Sequence, residues 1–509
     1  VKATPCGNRD FPLRAAARRP FGRAFLLAGL LLAGCARAPA PVPLLPPATA
    51  LRPVAPDPDH LALPPMQLFG AVSPVAPKIS NIDLARDVLD LTMQLESGRT
   101  LPRFTRFEGP IRISLKGPEP PTLRHDLAQV IDRLRREAGL DIALQPDGQI
   151  GNIVIQTVPE AEIRRQLPGA ACFVVPGIAD LSQYRAAQRQ GLTDWASLDE
   201  RRNLAIIVPA NQPPQELRDC LNEELAQSLG PLDDLYRLPD STFNDDNIHS
   251  ILTGFDMLVL RVTYAPELHS GMTRDEVGAA LPAILSRLNP EGDRLPARNT
   301  PASPPEWRAA ISEALAEGSS SSGRRRAAQR AVEIAEAAGW QDTRMAFAYF
   351  TRARLEQDRD PEGALRDLSR AHRLYASLPD TRLHEATTAT QLAVFALASG
   401  DPEAALALLK GRDAVALRYQ NAALLSSVLM LQGRAEILLG RTDAGKALIR
   451  KSLGWGLYGF GSAEAVQAQL TQVEGMGQGL EDSAAALAPD TVTTAQAVPA
   501  ALPTGPAPG

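Results

Sequence analysis

Proline is concentrated where it does most to forbid regular structure. Twelve of the 44 prolines fall within residues 36–77. Each fixes its own φ near about −65° and removes a backbone donor, so no helix or central strand runs through such a stretch. Residues 35–79 therefore read as an extended, polyproline-like tether. A second break, 291–323, contains Pro296, Pro301, Pro304, Pro305 and the run Gly318-Ser-Ser-Ser-Ser-Gly323, with a short helix expected over 306–316. The tail, 476–509, is rich in Ala, Pro and Thr and has too few large apolar residues to pack. Two segments long enough to bury a core remain, 80–290 and 324–475. This division suits 509 residues, since single cores rarely grow past about 250–300.

Residues 1–34 carry six Lys/Arg and one Asp, a net of +5. Arg14, Arg18, Arg19 and Arg23 precede an apolar run over 24–33, shorter than the about 20 residues a membrane-spanning helix needs. A basic region, a short apolar run and small residues in that order describe a secretory signal. It ends on Leu32-Ala33-Gly34-Cys35, which resembles the bacterial lipobox. The resemblance implies a signal peptide over 1–34 and lipid attachment at Cys35, so that acyl chains hold the protein on a membrane. It implies a periplasm-facing cell-envelope protein, and Ala36 rather than Asp after the cysteine points to the outer membrane. Loss of the signal takes the net charge from −5 to −10. An acidic chain lacks the basic face that nucleic acid requires, so no nucleic-acid partner is expected.

The segment 80–290 mixes strands and helices. Ile111–Leu115 alternates as a strand does, and Leu123, Leu127, Val130, Ile131 and Leu134 recur at helical spacing up to Gly139. Ile142–Leu144 and Ile153–Ile155 read as short strands joined by a Pro146-Asp-Gly148 turn. Cys172–Val175 and Leu204–Val208 are further strands. Pro213 and Pro214 open a helix that Gly230 closes, and helices follow over 247–263 and 273–288. The order predicts an α+β domain.

The helix over 214–229 holds the sharpest pattern, Cys220-Leu-Asn-Glu-Glu-Leu-Ala-Gln-Ser-Leu-Gly-Pro-Leu-Asp233. It is similar to the metallopeptidase pattern H-E-x-x-H-x-x-G-x-x-H/D. Glu223 stands at the first ligand, Glu224 at the general base, Gln227 at the second ligand, Gly230 at the turn and Asp233 at the third ligand. Asp240-Ser-Thr-Phe243, Leu252-Thr-Gly-Phe-Asp256 and Tyr264 resemble the turn and closing helix of metzincins. The resemblance implies a zincin-like fold whose zinc ligands are replaced. Zinc peptidases need imidazoles at both ends of the motif to acidify water. Glu223, Gln227 and Asp233 instead form an oxygen-rich set that suits a hard cation better than zinc. Glu223 and Gln227 can equally hydrogen-bond to each other at i,i+4. No catalytic or metal-binding residue, and no cofactor beyond a hard cation, is assigned from the motif. Three phrases, Cys220–Gln227, Leu238–Asp246 and Ser270–Met272, also resemble domain-of-unknown-function family 2927, met in lipoprotein-like proteobacterial chains. That family implies no activity.

Of the four cysteines, Cys6 falls in the signal and Cys35 in the lipobox. Cys172 and Cys220 remain, in an oxidising compartment, and are expected to form a disulfide. The competing reading is a nucleophilic Cys220, which has no histidine near it in sequence. His249 and His269 follow the motif without a known ligand spacing and read as surface or capping residues. Asn244-Asp-Asp-Asn247 lacks a calcium-loop pattern and reads as the cap of the next helix.

In 324–475, the phrase Asp360-Pro-Glu-Gly-Ala-Leu365 returns as Asp401-Pro-Glu-Ala-Ala-Leu406, with a looser echo at Gly440–Leu448. Ala364, Leu368 and Ala371 have tetratricopeptide-like spacing, though the step from Asp360 to Asp401 is longer than that repeat's period. An all-α tetratricopeptide-like solenoid is expected, with a non-repetitive bundle as the alternative. Together these features predict an envelope lipoprotein whose non-catalytic zincin-like domain and helical repeats bind a protein or peptide. The alternative is a divergent metal-dependent hydrolase with Glu224 as general base.

Overall fold

A computed structural model describes residues 63–477, apart from 74, 317 and 318. The signal segment, Cys35, the tether up to residue 62 and the tail after 477 lie outside the described residues.

An α+β region comes first. Helix α1, Asn81–Met93, is capped by Ser80, whose Oγ accepts from Asp83 N. Then come β1, Ile111–Lys116; α2, Leu123–Glu137; β2, Ile142–Leu144; and β3, Ile153–Val158. Helix α3, Glu160–Gln166, leads to β4, Phe173–Pro176, and α4, Tyr184–Arg189, leads to β5, Leu204–Pro209. Helices α5, Pro214–Leu229, α6, Gly254–Thr263, and α7, Arg274–Leu288, close the region.

The five strands form one sheet in the order β2-β1-β3-β5-β4, parallel except for the edge strand β4. Parallel strands need both faces covered, and β5 is buried at all six positions. The strands β2 and β3 do not pair as the expected turn between them implied. They flank β1, with Leu144 and Ile153 both in register with Ile113. The chain crosses from one side to the other close against β1. Only glycine fits that crossing, since a Cβ on Gly151 would lie 2.1 Å from the Arg112 carbonyl oxygen. The helix expected over 247–263 also starts later. Its cap is Thr253, reciprocated by Asp256 in a capping box, and 244–250 is loop.

An all-α region follows. Helix α8, Pro305–Leu315, lies in the second proline-rich break, and α9, Ser321–Ala337, begins inside the serine run. Helices α10, Thr343–Glu356, α11, Pro361–Ser377, and α12, Arg382–Ala398, continue it. The rest are α13, Pro402–Leu409; α14, Arg412–Arg418; α15, Ala422–Leu438; α16, Thr442–Phe460; and α17, Ala463–Glu474. Helices adjacent in sequence pack together from α8 to α13, and again from α14 to α17. Backbone meets backbone between α15 and α16, because a Cβ on Gly445 would fall 2.5 Å from the Gly433 carbonyl oxygen.

The two regions share their cores. Phe69, from the stretch expected to be free tether, stacks on Trp455 of α16 at 4.5 Å between ring centroids. Ile248 joins the core of α12–α17, and Tyr236 joins that of α8–α12. Tyr458 Oη donates to Asp126 at 2.8 Å, and Arg218 donates to the Gln420 carbonyl. The described residues belong to one compact unit.

Candidate functional site

Helix α5 carries the motif. Leu217, Leu221, Leu225 and Leu229 recur every fourth residue and are all buried, which sets the helix against the core. Cys220 forms a disulfide with Cys172, just before β4. Arg201, itself buried, holds the C-terminal end. Its guanidinium donates to the carbonyls of Gln227 at 2.5 Å and Gly230 at 2.6 Å, where the helix leaves carbonyls unpaired. No carboxylate pairs with it among the described residues, and burial pulls its pKa down to about 10.

Glu224, Gln227 and Asp233 are buried and Glu223 is half-buried. Glu216, Asp219 and Glu223 share one face of α5, at three- and four-residue spacing. Glu223 and Asp233 come together with Glu96, Asp234 and Asp245. Burial, followed by the charges of Asp245, Glu223 and Asp233, pushes the Glu96 carboxyl well up. Asp234 is raised by burial and by Glu96, Glu223 and Asp245. Asp233 is raised by burial to about 7 against the opposing pull of Arg308, whose guanidinium lies 3.4 Å away. Asp245 is raised by burial to about 6 while accepting from Tyr236 Oη at 2.6 Å. Carboxyls crowded in this way oppose one another's ionisation, so the group takes up protons more readily than isolated carboxyls do. Glu224, next in sequence to Glu223, is rotated about 100° from it around the helix axis. Of the predicted set, Glu223 and Asp233 belong to this group of carboxyls.

The helical array covers the acidic face. Glu216 and Asp219 look into a cavity of about 90 Å³ closed by Phe347, Phe350, Arg354 and Asn421. Burial pushes Asp219 well up. A larger cavity, about 620 Å³, opens elsewhere at the junction of the two regions, and none of Glu223, Glu224, Gln227 or Asp233 lines it. Several of its charges are paired: Arg237 with Asp87 at 2.7 Å, Arg86 with Asp83 at 3.0 Å and Arg298 with Asp380 at 2.7 Å. Lys78, Arg382 and Arg418 also line it, are exposed, and make no ion pair among the described residues.

The histidine expectation is corrected for His249, while His269 is exposed as expected. His249 is not on the surface, and neither is His384 of α12; both are buried. His249 Nε2 lies 3.2 Å from Asp240 Oδ1, and His384 Nε2 lies 2.8 Å from Asp246 Oδ2. Burial works against charge on His249, yet the hydrogen bond and charge of Asp240, with Asp246 and Asp256, hold its pKa above the usual value. Asp246 does not cap α6; it accepts from Asn244 Nδ2 at 2.8 Å and Ile248 N at 3.2 Å. The Asp246–His249 spacing was visible in sequence, but His384 comes from the helical array, and no local pattern links it to them.

Residues 81–283 match the family model described as "Protein of unknown function (DUF2927)". The match starts with α1, ends within α7 and leaves out the helical array. No curated protein and no solved structure matches the chain.

Proposed function

We propose that this protein is a non-catalytic binding protein of the bacterial cell envelope, held on the membrane through Cys35 and facing the periplasm. Its ligand is a peptide segment rich in carboxylates, bound in the 620 Å³ cavity between the two regions. The observation that carries this reading is the set of cations on that cavity with no ion-pair partner among the described residues, Lys78, Arg382 and Arg418. The volume lies within the range of about 300–1,000 Å³ usual for ligand sites. A mixed sheet followed by the motif helix supports a zincin-like ancestry. The helical pairs support a tetratricopeptide-like one. The motif itself carries no imidazole, and the helical array packs over the acidic face of its helix, so the ancestral cleft serves as scaffold.

The test is binding of a fluorescent oligoglutamate peptide to the full chain, with a neutral peptide of equal length as control. Binding that weakens with salt and drops at least about tenfold in Arg382→Ala/Arg418→Ala is expected, since each lost ionic contact weakens both affinity and encounter. Equal binding of the neutral peptide, or no effect of the double variant, would sink the proposal. Cleavage of the peptide that disappears in Glu224→Gln would favour the hydrolase instead.

A further inference from the structure

We infer that Asp246, His249 and His384 form a zinc-binding site that joins the sheet region to the helical array. None of Glu223, Glu224, Gln227 or Asp233 belongs to it, and it lies at the inner wall of the cavity proposed for peptide binding, which Asp240 and Tyr375 line. One ligand-capable atom from each of the three lies within 4.8 Å of the other two, and all three residues are buried. Four-coordinate zinc bound at about 2.0–2.2 Å places its ligands roughly 3.3 Å apart. Small side-chain rotations close the set onto an ion. Two imidazoles and a carboxylate are a donor set that zinc accepts, with a fourth position left for water.

A second observation points the same way. His249 Nδ1, His384 Nδ1 and the Tyr375 hydroxyl are buried and have no hydrogen-bond partner among the described residues. Unpaired buried polar atoms are costly and call for a reason. Of these, His249 Nδ1 is the atom that a bound ion takes up, and the rings around it are close: the Tyr375 ring lies 4.8 Å from that of His384 and the two histidine rings are 5.5 Å apart. The outer partners are those of a metal site. Asp240 engages His249 Nε2 at 3.2 Å, which leaves Nδ1 to coordinate, and a carboxylate behind a ligating histidine fixes its tautomer and raises its basicity. Asn244 Nδ2 and Ile248 N steady Asp246 in the same way. A metal ion shared by Asp246 and His384 replaces their direct 2.8 Å contact. The large cavity gives access, since Asp240 and Tyr375 line it.

The experiment uses the full chain, stripped with a chelator and titrated with zinc under competition from a chromophoric chelator. One zinc per chain is expected, and X-ray absorption of the loaded wild type should report two imidazoles in the coordination shell. His249→Ala and His384→Ala should each weaken zinc by more than about 100-fold. Asp240→Asn, a positioning residue, should weaken it by roughly 10–100-fold. Glu223→Gln and Asp233→Asn should leave affinity unchanged. Substoichiometric zinc, an absorption spectrum without imidazole, or zinc lost on Glu223→Gln rather than on His384→Ala would overturn the assignment. The wild-type spectrum decides the matter even where a histidine variant fails to fold.

Discussion

Asp233 shows how far burial moves a single carboxyl. It occupies the third-ligand position of the motif, and the fold sets the Arg308 guanidinium 3.4 Å from it, with Arg237 and several other carboxyls around it. Its folded pKa of about 7 stands above the about 3.9 of an unfolded aspartate. For a carboxyl raised on folding, the native state binds more protons than the unfolded one between those values. Its contribution to stability is therefore complete below about pH 4 and is lost as pH rises through about 7. Asp245, raised to about 6, acts in the same direction. The urea midpoint of the wild type should fall between pH 5 and 8, and Asp233→Asn should flatten that slope while keeping the oxygen that accepts from Asp234 N. An identical slope in the variant would place the titration elsewhere. The spacing of Glu223 and Asp233 was legible in sequence. The partners that give Asp233 its chemistry were not, because Glu96 reaches it only through the packing of α1.

At the scale of elements, local chemistry was legible wherever a cap or a period was self-contained. The repeated Asp-Pro-Glu phrase is a helix start written twice. Asp360 accepts from Gly363 N and Asp401 from Ala404 N, each at 2.9 Å, with proline at the first helical position. Replacing either aspartate with alanine should cost about 1 kcal/mol. The two sites share no partner, so the double variant should lose about the sum in urea denaturation. A loss confined to one position would mean that the second phrase is only a sequence echo. Where several polar residues competed, the sequence misled. Asn244–Asn247 has the composition of a cap, but Thr253 and Asp256 satisfy the first turn of α6, while Asp246 turns to His384. The crossing at Gly151 was equally hidden, because a proline-glycine turn says that the chain changes direction and not which strand it passes. Phe69 was lost among prolines, since its burial depends on Trp455 and Tyr458 at the far end of the described chain.

At the scale of the molecule, the proline-rich breaks suggested two bodies on a string, and the described residues form one. The default for linked domains is an interface polar and small enough to allow relative motion. Here the contact is of another kind. Phe69, Tyr236 and Ile248 are members of the helical array's own cores, and removal of the array would expose them. Three polar links are buried as well, Asp126 with Tyr458, Arg218 with Gln420 and Asp246 with His384, and a fourth, Gln215 with Asn421, is partly buried. Neither region can unfold without leaving the other with unpaired charge and bare aromatic surface. Heating should therefore give a single calorimetric transition whose van't Hoff and calorimetric enthalpies agree. Arg218→Ala leaves Asp126 without its nearest compensating charge and strips the cation from the Phe69 and Tyr458 rings. It should lower that one transition without splitting it. Two transitions in the wild type, or a shift confined to one of them, would show that the regions melt apart. The peptide cavity and the histidine cluster would then lie between bodies free to separate, and both sites require that they are not.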